Sequence, residues 1–228
     1  MPQDRWAPYG AAAGAVAVVL FAIGGMLIGE RPDFALGGPE FAAYLEQNQA
    51  RVQLAATLDA AMAPFLVWFL VTVRSLTGDA RADARRAATV ALCCGLVFLA
   101  LFLADVTTLA VGALRPESMA AAPELAGVLQ DFELLAMGIA APLAAGLLAA
   151  YAVLVLRDGA VWPRWIGWLA AIAAPMYALR VGTLFGTDGA FAADGVLGFW
   201  VPVGAIAAWI FVASLELALR LRTSTAPS

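Results

Sequence analysis

The chain has 228 residues, 63% apolar and 13% charged, with a mean hydropathy of +0.86 and a net charge of −4. A soluble domain carries roughly 25% charged residues, so the composition excludes an ordinary water-facing globule and indicates a lipid-facing bundle. There is no histidine, and all 13 basic residues are arginine. The axial histidines of b-type haem, the imidazole ligands of catalytic zinc and Ser–His or Cys–His nucleophile pairs are therefore missing. A retinal or pyridoxal Schiff base is excluded for want of lysine. No cofactor, metal or nucleic-acid site is expected, and no catalytic residue is assigned.

Runs of about 20 apolar residues mark spanning helices. Six are predicted, at 7–29, 54–73, 88–114, 132–156, 165–185 and 196–219, giving an all-α polytopic membrane bundle in a single domain over 1–228. The first run is longer than a signal-peptide core and shows no small-residue cleavage site before Glu30–Arg31, so it is expected to be retained. Pro39–Glu40 suits a helical first turn, where the amide needs no partner and the dipole favours an acid. A short outer amphipathic helix is accordingly predicted at 39–53. Cys93 and Cys94 are adjacent, too close for an unstrained bridge, and read as small apolar side chains buried in the third span.

Arginine orients the bundle. Arg5, Arg74, Arg81, Arg85, Arg86, Arg157, Arg164, Arg220 and Arg222 fall on one side, against Arg31, Arg51 and Arg115 on the other. This bias places both termini in the cytoplasm by the positive-inside rule. The outer side collects Glu30, Asp33, Glu40, Glu46, Glu117, Glu124, Asp188 and Asp194, so the low pI reports that face. Trp6, Trp162, Trp165 and Trp168 are expected at the cytoplasmic interface and Trp200 at the outer one, while Trp68 and Trp209 fall deeper and are expected to pack.

Arg31-Pro32-Asp33, five residues, then Pro39-Glu40-Phe41-Ala42 recurs as Arg115-Pro116-Glu117, five residues, then Pro123-Glu124-Leu125-Ala126. The pattern fits either a duplicated helical hairpin or two similar helix starts. Pro64, Pro142 and Pro175 lie near the middle of their spans and Pro202 nearer the outer end of the sixth. Such prolines either open cavities or are the ordinary prolines of membrane helices. Gly10/Gly14 and Gly25/Gly29 allow close helix approach.

The ionisable residues inside the spans are the candidate site. At 1.5 Å rise per residue, Asp59, Asp105 and Arg180 each sit about 6–8 Å outward of their helix midpoints. Glu133, preceded by Asp131, tops the fourth helix about 15 Å from its midpoint on the same side. A charge at the bilayer centre costs about 2.5–3.5 kcal/mol on the insertion scale. Residues at one depth are therefore expected to meet, with Arg180 bridging Asp59 and Asp105 through its five donors. Tyr177 and Thr108, with Thr57, Thr107 and Thr183, are expected to complete the hydrogen bonding. Glu216 and Arg220, four residues apart, are read as an interfacial ion pair. Two acids against one base hold one aspartate protonated or attract a cation, which permits proton coupling.

The fifth-helix entry Trp162-Pro163-Arg164-Trp165-Ile166-Gly167-Trp168-Leu169, with six helices and an outer segment from Pro39 to Val52, resembles a domain-of-unknown-function family of small six-helix membrane proteins from high-GC bacteria. The resemblance implies a bacterial inner-membrane location and the same architecture, and carries no activity. Two functional readings stay open. One is an outer-side polar pocket binding or transporting a small polar or cationic ligand. The other is an accessory or structural subunit of a membrane complex, or a homo-oligomer. With cytoplasmic termini, a fluorescent reporter fused after Ser228 should mature, and alkaline phosphatase joined after residue 120 should be active. The opposite pattern of the two reporters would invert the topology.

Overall fold

A helix that is apolar all round has no wet face, and in lipid its backbone polar groups must be satisfied within the segment. The computed structural model describes residues 6–32, 37–78, 80–159, 161–185, 189–192 and 195–224, and no strand occurs among them. Its helices are α1 (Ala7–Ile28), α2 (Gly38–Leu76), α3 (Ala82–Leu114), α4 (Pro116–Ala121), α5 (Pro123–Asp158), α6 (Arg164–Ala178) and α7 (Val201–Ser224). Six segments are long and apolar enough to cross a bilayer, so the protein is a multi-pass integral membrane protein. Arg5, Asp33, Asp188 and Asp194, counted above for orientation, lie outside the described residues.

The outer segment at 39–53 and the second span form one helix, α2, interrupted at Asn48 (φ −116°, ψ 16°), whose side-chain amide donates to the Tyr44 carbonyl at 3.0 Å. The break is there and not at Pro64, which faces outward within continuous helix. Pro142 is likewise carried inside α5. Pro175 acts differently. α6 ends three residues beyond it and continues as 3₁₀ turns over Leu179–Leu184. The sixth span begins with a π-turn, Val196–Trp200, before α7. Both segments thus leave α geometry in their outer parts, and the 3₁₀ turns pack on the π-turn.

α1 lies against α2 and α7, while α5 meets α2, α3 and α6. In its most apolar window α5 is 56% buried against 28% for α1, which makes α5 the centre of the bundle. Small residues bring the helices close. A Cβ on Gly14 would sit 2.9 Å from the Phe69 ring and 3.0 Å from Ser214 Oγ. Ser214 enters the α1 ladder, accepting from the Ala15 amide at 2.8 Å and donating to the Ala11 carbonyl. In the second predicted pair, Gly25 has nothing near its missing side chain, and Gly29 is a helix terminus with φ 67°. The close contact there is made by Gly24.

Trp162 departs from the interfacial reading. It is fully buried, donates to the Ala213 carbonyl at 2.8 Å, and packs with Tyr151, Phe69 and Trp209. The turn before α6 tucks the indole between helices because a carbonyl there accepts its N–H, and each aromatic pair adds about 0.5–1.5 kcal/mol beyond area burial. Trp6, Trp165, Trp168 and Trp200 are exposed, and Trp209 is buried. Trp68, read as a packing residue, is 38% exposed, with its indole nitrogen close against Gly10. Cys94 is half-buried and Cys93 exposed on the bundle's outside, both as free thiols, so only one of the pair packs inward.

The two repeat copies open α2 and α5 in the same way, with Pro in the first turn followed by Glu40 or Glu124. They also touch. A side chain on Gly38 would run into the Pro123 carbonyl and the Gly127 amide, which are backbone and cannot move cheaply. Gly38→Ala should therefore lower stability by about 1–3 kcal/mol, the usual cost of overpacking. Gly25→Ala should cost nothing, and thermal melts of the two variants in detergent make the comparison.

Candidate functional site

Four elements and a loop carry the ionisable groups of the predicted site. α2 carries Asp59, α3 carries Asp105 and α5 carries Glu133; Arg180 sits in the 3₁₀ turns and Arg31 follows α1. Asp59, Glu133 and Arg180 are buried at 5%, 4% and 8% exposure, while Asp105 is half-buried. Asp105 Oδ1 is buried without a hydrogen bond among the described residues. One acid of the outer-level set predicted above meets an arginine, and the arginine is not Arg180.

The ion pair is made by Arg31 and Glu133. Arg180 forms none within 4 Å of Asp59 or Asp105; its guanidinium lies over the Phe199 ring, 5.5 Å from the centroid, and its Nε has no hydrogen-bond partner among the described residues. The bridging expectation assumed a straight α-helix through 165–185. The 3₁₀ turns after Pro175 have about three residues per turn, which rotates position 180 toward the π-turn that carries Phe199. Arg31 was counted only for topology. The signal that could have found it is Glu133, a buried acid needing a base, within reach of a long side chain just past the end of α1.

Arg31 also lies 5.5 Å over Phe41, and Tyr44 donates to the Ile28 carbonyl at 2.8 Å, pinning the end of α1 to the outer part of α2. Burial opposes the charge on Arg31. Glu133 beside it, together with weaker contributions from Asp105 and Tyr44, more than compensates, so the guanidinium holds its proton more tightly than an arginine in water. Asp59 meets α1 at Gly24, where an added Cβ would stand 2.7 Å from Asp59 Oδ1. Glycine at that position makes room for the carboxylate.

The remaining predicted residues divide. Tyr177 is buried, edge-on to Phe98 with ring centroids 5.8 Å apart, and feels Arg180 and Asp105. Asp131 is exposed, because residues two apart on a helix face different ways. Thr108 donates to the Ala104 carbonyl at 3.0 Å, Thr107 to Leu103, Thr57 to Gln53 and Thr183 to Arg180. Their protons satisfy nearby backbone carbonyls and not the carboxylates. Glu216 and Arg220 pair at 2.8 Å, as the spacing predicts.

What remains is a set of buried oxygens without hydrogen bonds. Asp59 Oδ1, Asp105 Oδ1 and Glu133 Oε1 have no partner among the described residues. Three acids against two arginines leave a formal charge of −1 if all are ionised. Such an arrangement holds a proton or draws in a cation. No group of three carboxylates or thiols converges as a metal-ligand set among the described residues.

Breaking a buried ion pair costs about 3–5 kcal/mol, and the 27% exposure of the Arg31 side chain reduces this here. Glu133→Gln or Arg31→Gln alone should cost about 2 kcal/mol, and the double variant should recover part of the loss, as in other coupled pairs. Detergent melting curves of the four proteins close that cycle. No protein-family model matches this chain, and no curated protein or solved structure matches it either.

Proposed function

We propose that this membrane protein binds, and passes through the outer half of the bilayer, a small cationic or polar ligand held by Asp59, Asp105 and Glu133. The observation that carries the reading is the set of three buried carboxylate oxygens left without hydrogen-bond partners among the described residues. Asp59 and Asp105 supply the negative field. Arg180 and Arg31 keep the site from carrying its full charge when empty, and Tyr177 lines the inward side. The departures from α geometry over Leu179–Leu184 and Val196–Trp200 support it, since irregular backbone at membrane depth is tolerated where it lines a cavity or is buried in protein. The arginine bias supports cytoplasmic termini.

Melting of the detergent-purified protein, in sodium, guanidinium or tetraethylammonium at constant ionic strength and through a series of pH steps, tests the reading. At 100 times its dissociation constant a ligand stabilises by about 2.7 kcal/mol. At least one condition should raise the melting temperature of the wild type and leave Asp59→Asn and Asp105→Asn unmoved. If every condition acts equally on wild type and variants, the cluster is a packing device and the protein reads as an accessory subunit. Liposome flux under a pH gradient, unchanged by both substitutions, would remove transport from the proposal.

A further inference from the structure

The end of the bundle opposite Glu133 carries a cavity of about 280 Å³ lined by Arg81, Asp83, Ala84 and Arg157. Arg81 precedes the first turn of α3 and Arg157 lies in the last turn of α5, so the cavity sits where two spanning helices end. Ligand pockets run from roughly 300 to 1,000 Å³, and one at the lower limit suits a headgroup better than a bulky solute. Three arginines at this end are already engaged. Arg74 Nε donates to Thr89 at 3.0 Å, Arg85 donates to the Ala80 carbonyl at 2.6 Å, and Arg220 pairs with Glu216. Arg81 and Arg157 make no hydrogen bond or ion pair among the described residues, and Asp83 pairs with neither although it lines the same cavity. Toward the middle of the bundle the surface turns apolar. Val153, four residues before Arg157, is exposed, as are Ala149 on α5 and Val90 and Val97 on α3. The two helices adjoin there, with Cys94 Sγ standing 3.3 Å from the position of a Cβ on Gly146.

We propose that this cavity holds the headgroup of an anionic phospholipid, its phosphodiester between Arg81 and Arg157 and its headgroup hydroxyl donating to Asp83. Phosphatidylglycerol has both parts. Each guanidinium offers a fork of N–H donors to the non-bridging oxygens, and such bonds gain strength from the charge on both partners. Two arginines against one aspartate leave a formal charge of +1, which the single negative charge of a diester cancels. An acid beside a phosphate repels it unless a donor stands between them, and the hydroxyl of a glycerol headgroup is that donor. The choline of phosphatidylcholine offers Asp83 no hydrogen bond, and a zwitterionic lipid leaves the +1 uncancelled. The acyl chains lie against the exposed apolar residues of α3 and α5, which a free phosphate would leave uncovered. The site shares no residue with the carboxylates at the other end of the bundle and stands independently of their role.

Native mass spectrometry of the protein released from maltoside micelles, doped with one lipid at a time, counts the lipid that stays bound. Phosphatidylglycerol should be retained more tightly than phosphatidylcholine or phosphatidylethanolamine. An arginine beside an anionic lipid contributes about fivefold in affinity, so Arg81→Gln and Arg157→Gln should each weaken retention about fivefold and the double variant about 25-fold. Arg86→Gln and Arg164→Gln remove the same charge outside the cavity, where solvent screens it, and should change retention less than about twofold. Asp83→Ala should erase the preference for phosphatidylglycerol over phosphatidylmethanol, which has the same diester without the hydroxyl. Equal loss from all four arginine variants would reduce the effect to net charge and overturn the site. Equal retention of phosphatidylethanolamine overturns the anionic assignment. Thermal stabilisation by inorganic phosphate or glycerol 3-phosphate that matches the lipid's overturns the lipid as occupant. Should Arg81→Gln fail to fold, Arg157→Gln measured against Arg164→Gln still decides.

Discussion

A charge placed at the centre of a bilayer costs about 2.5–3.5 kcal/mol even on a lenient scale, and the half of this bundle that carries Arg31 and Glu133 is arranged around that cost. Arg31, Glu133, Asp105, Asp59 and Arg180 come from five different segments, and of these Arg31 and Glu133 form an ion pair. Arg31 pairs with Glu133, and Arg180 lies over the face of Phe199 with its Nε lacking a hydrogen bond among the described residues. The acids are not all satisfied. Asp59 and Asp105 each keep a buried oxygen without a partner, and Glu133 keeps one beside its ion pair. A purely structural network gains most when every member is paired, and here the Arg180 Nε as well as the three carboxylate oxygens lacks a hydrogen bond among the described residues.

The rest of the bundle supplies the rigidity against which such a site can be held. At the end of α6 opposite Arg180, Trp162, Trp209 and Tyr151 form a closed aromatic cluster, with both indoles donating to backbone carbonyls. Ser214 stitches α7 into α1, and glycines bring α1 and α2 together. The end of the fifth span and the start of the sixth are built differently, from 3₁₀ and π turns. A π-turn or a 3₁₀ stretch within a helical run is a frequent companion of functional sites. The tight half and the irregular half are the two ends of the same helices.

The repeated Arg-Pro motif acquires a structural meaning from this arrangement. Both copies start a helix that runs back into the membrane, and the two starts cross at Gly38, Pro123 and Gly127. The first copy's arginine reaches down to Glu133 on the second copy's helix. Whichever origin the repeat has, it places a base from one hairpin over an acid from the other.

Much of this was legible in the residues alone. Six apolar runs can only be spanning helices, because backbone amides in hydrocarbon leave no other solution, and the depth of each acid follows from counting along a helix of known rise. The Glu216–Arg220 pair follows from spacing within one helix, where geometry is known in advance. Which base meets which acid depends on the rotation of each helix about its own axis, and rotation is set by packing. Pro175 turned the end of the fifth span into 3₁₀ geometry and swung Arg180 onto Phe199. Trp162 became core because a carbonyl on a helix distant in sequence accepted its N–H. The sequence by itself determined the membrane, the helices and the level at which charge would have to be met; the tertiary structure alone decided the partners, because contacts between helices depend on angles that no single helix encodes.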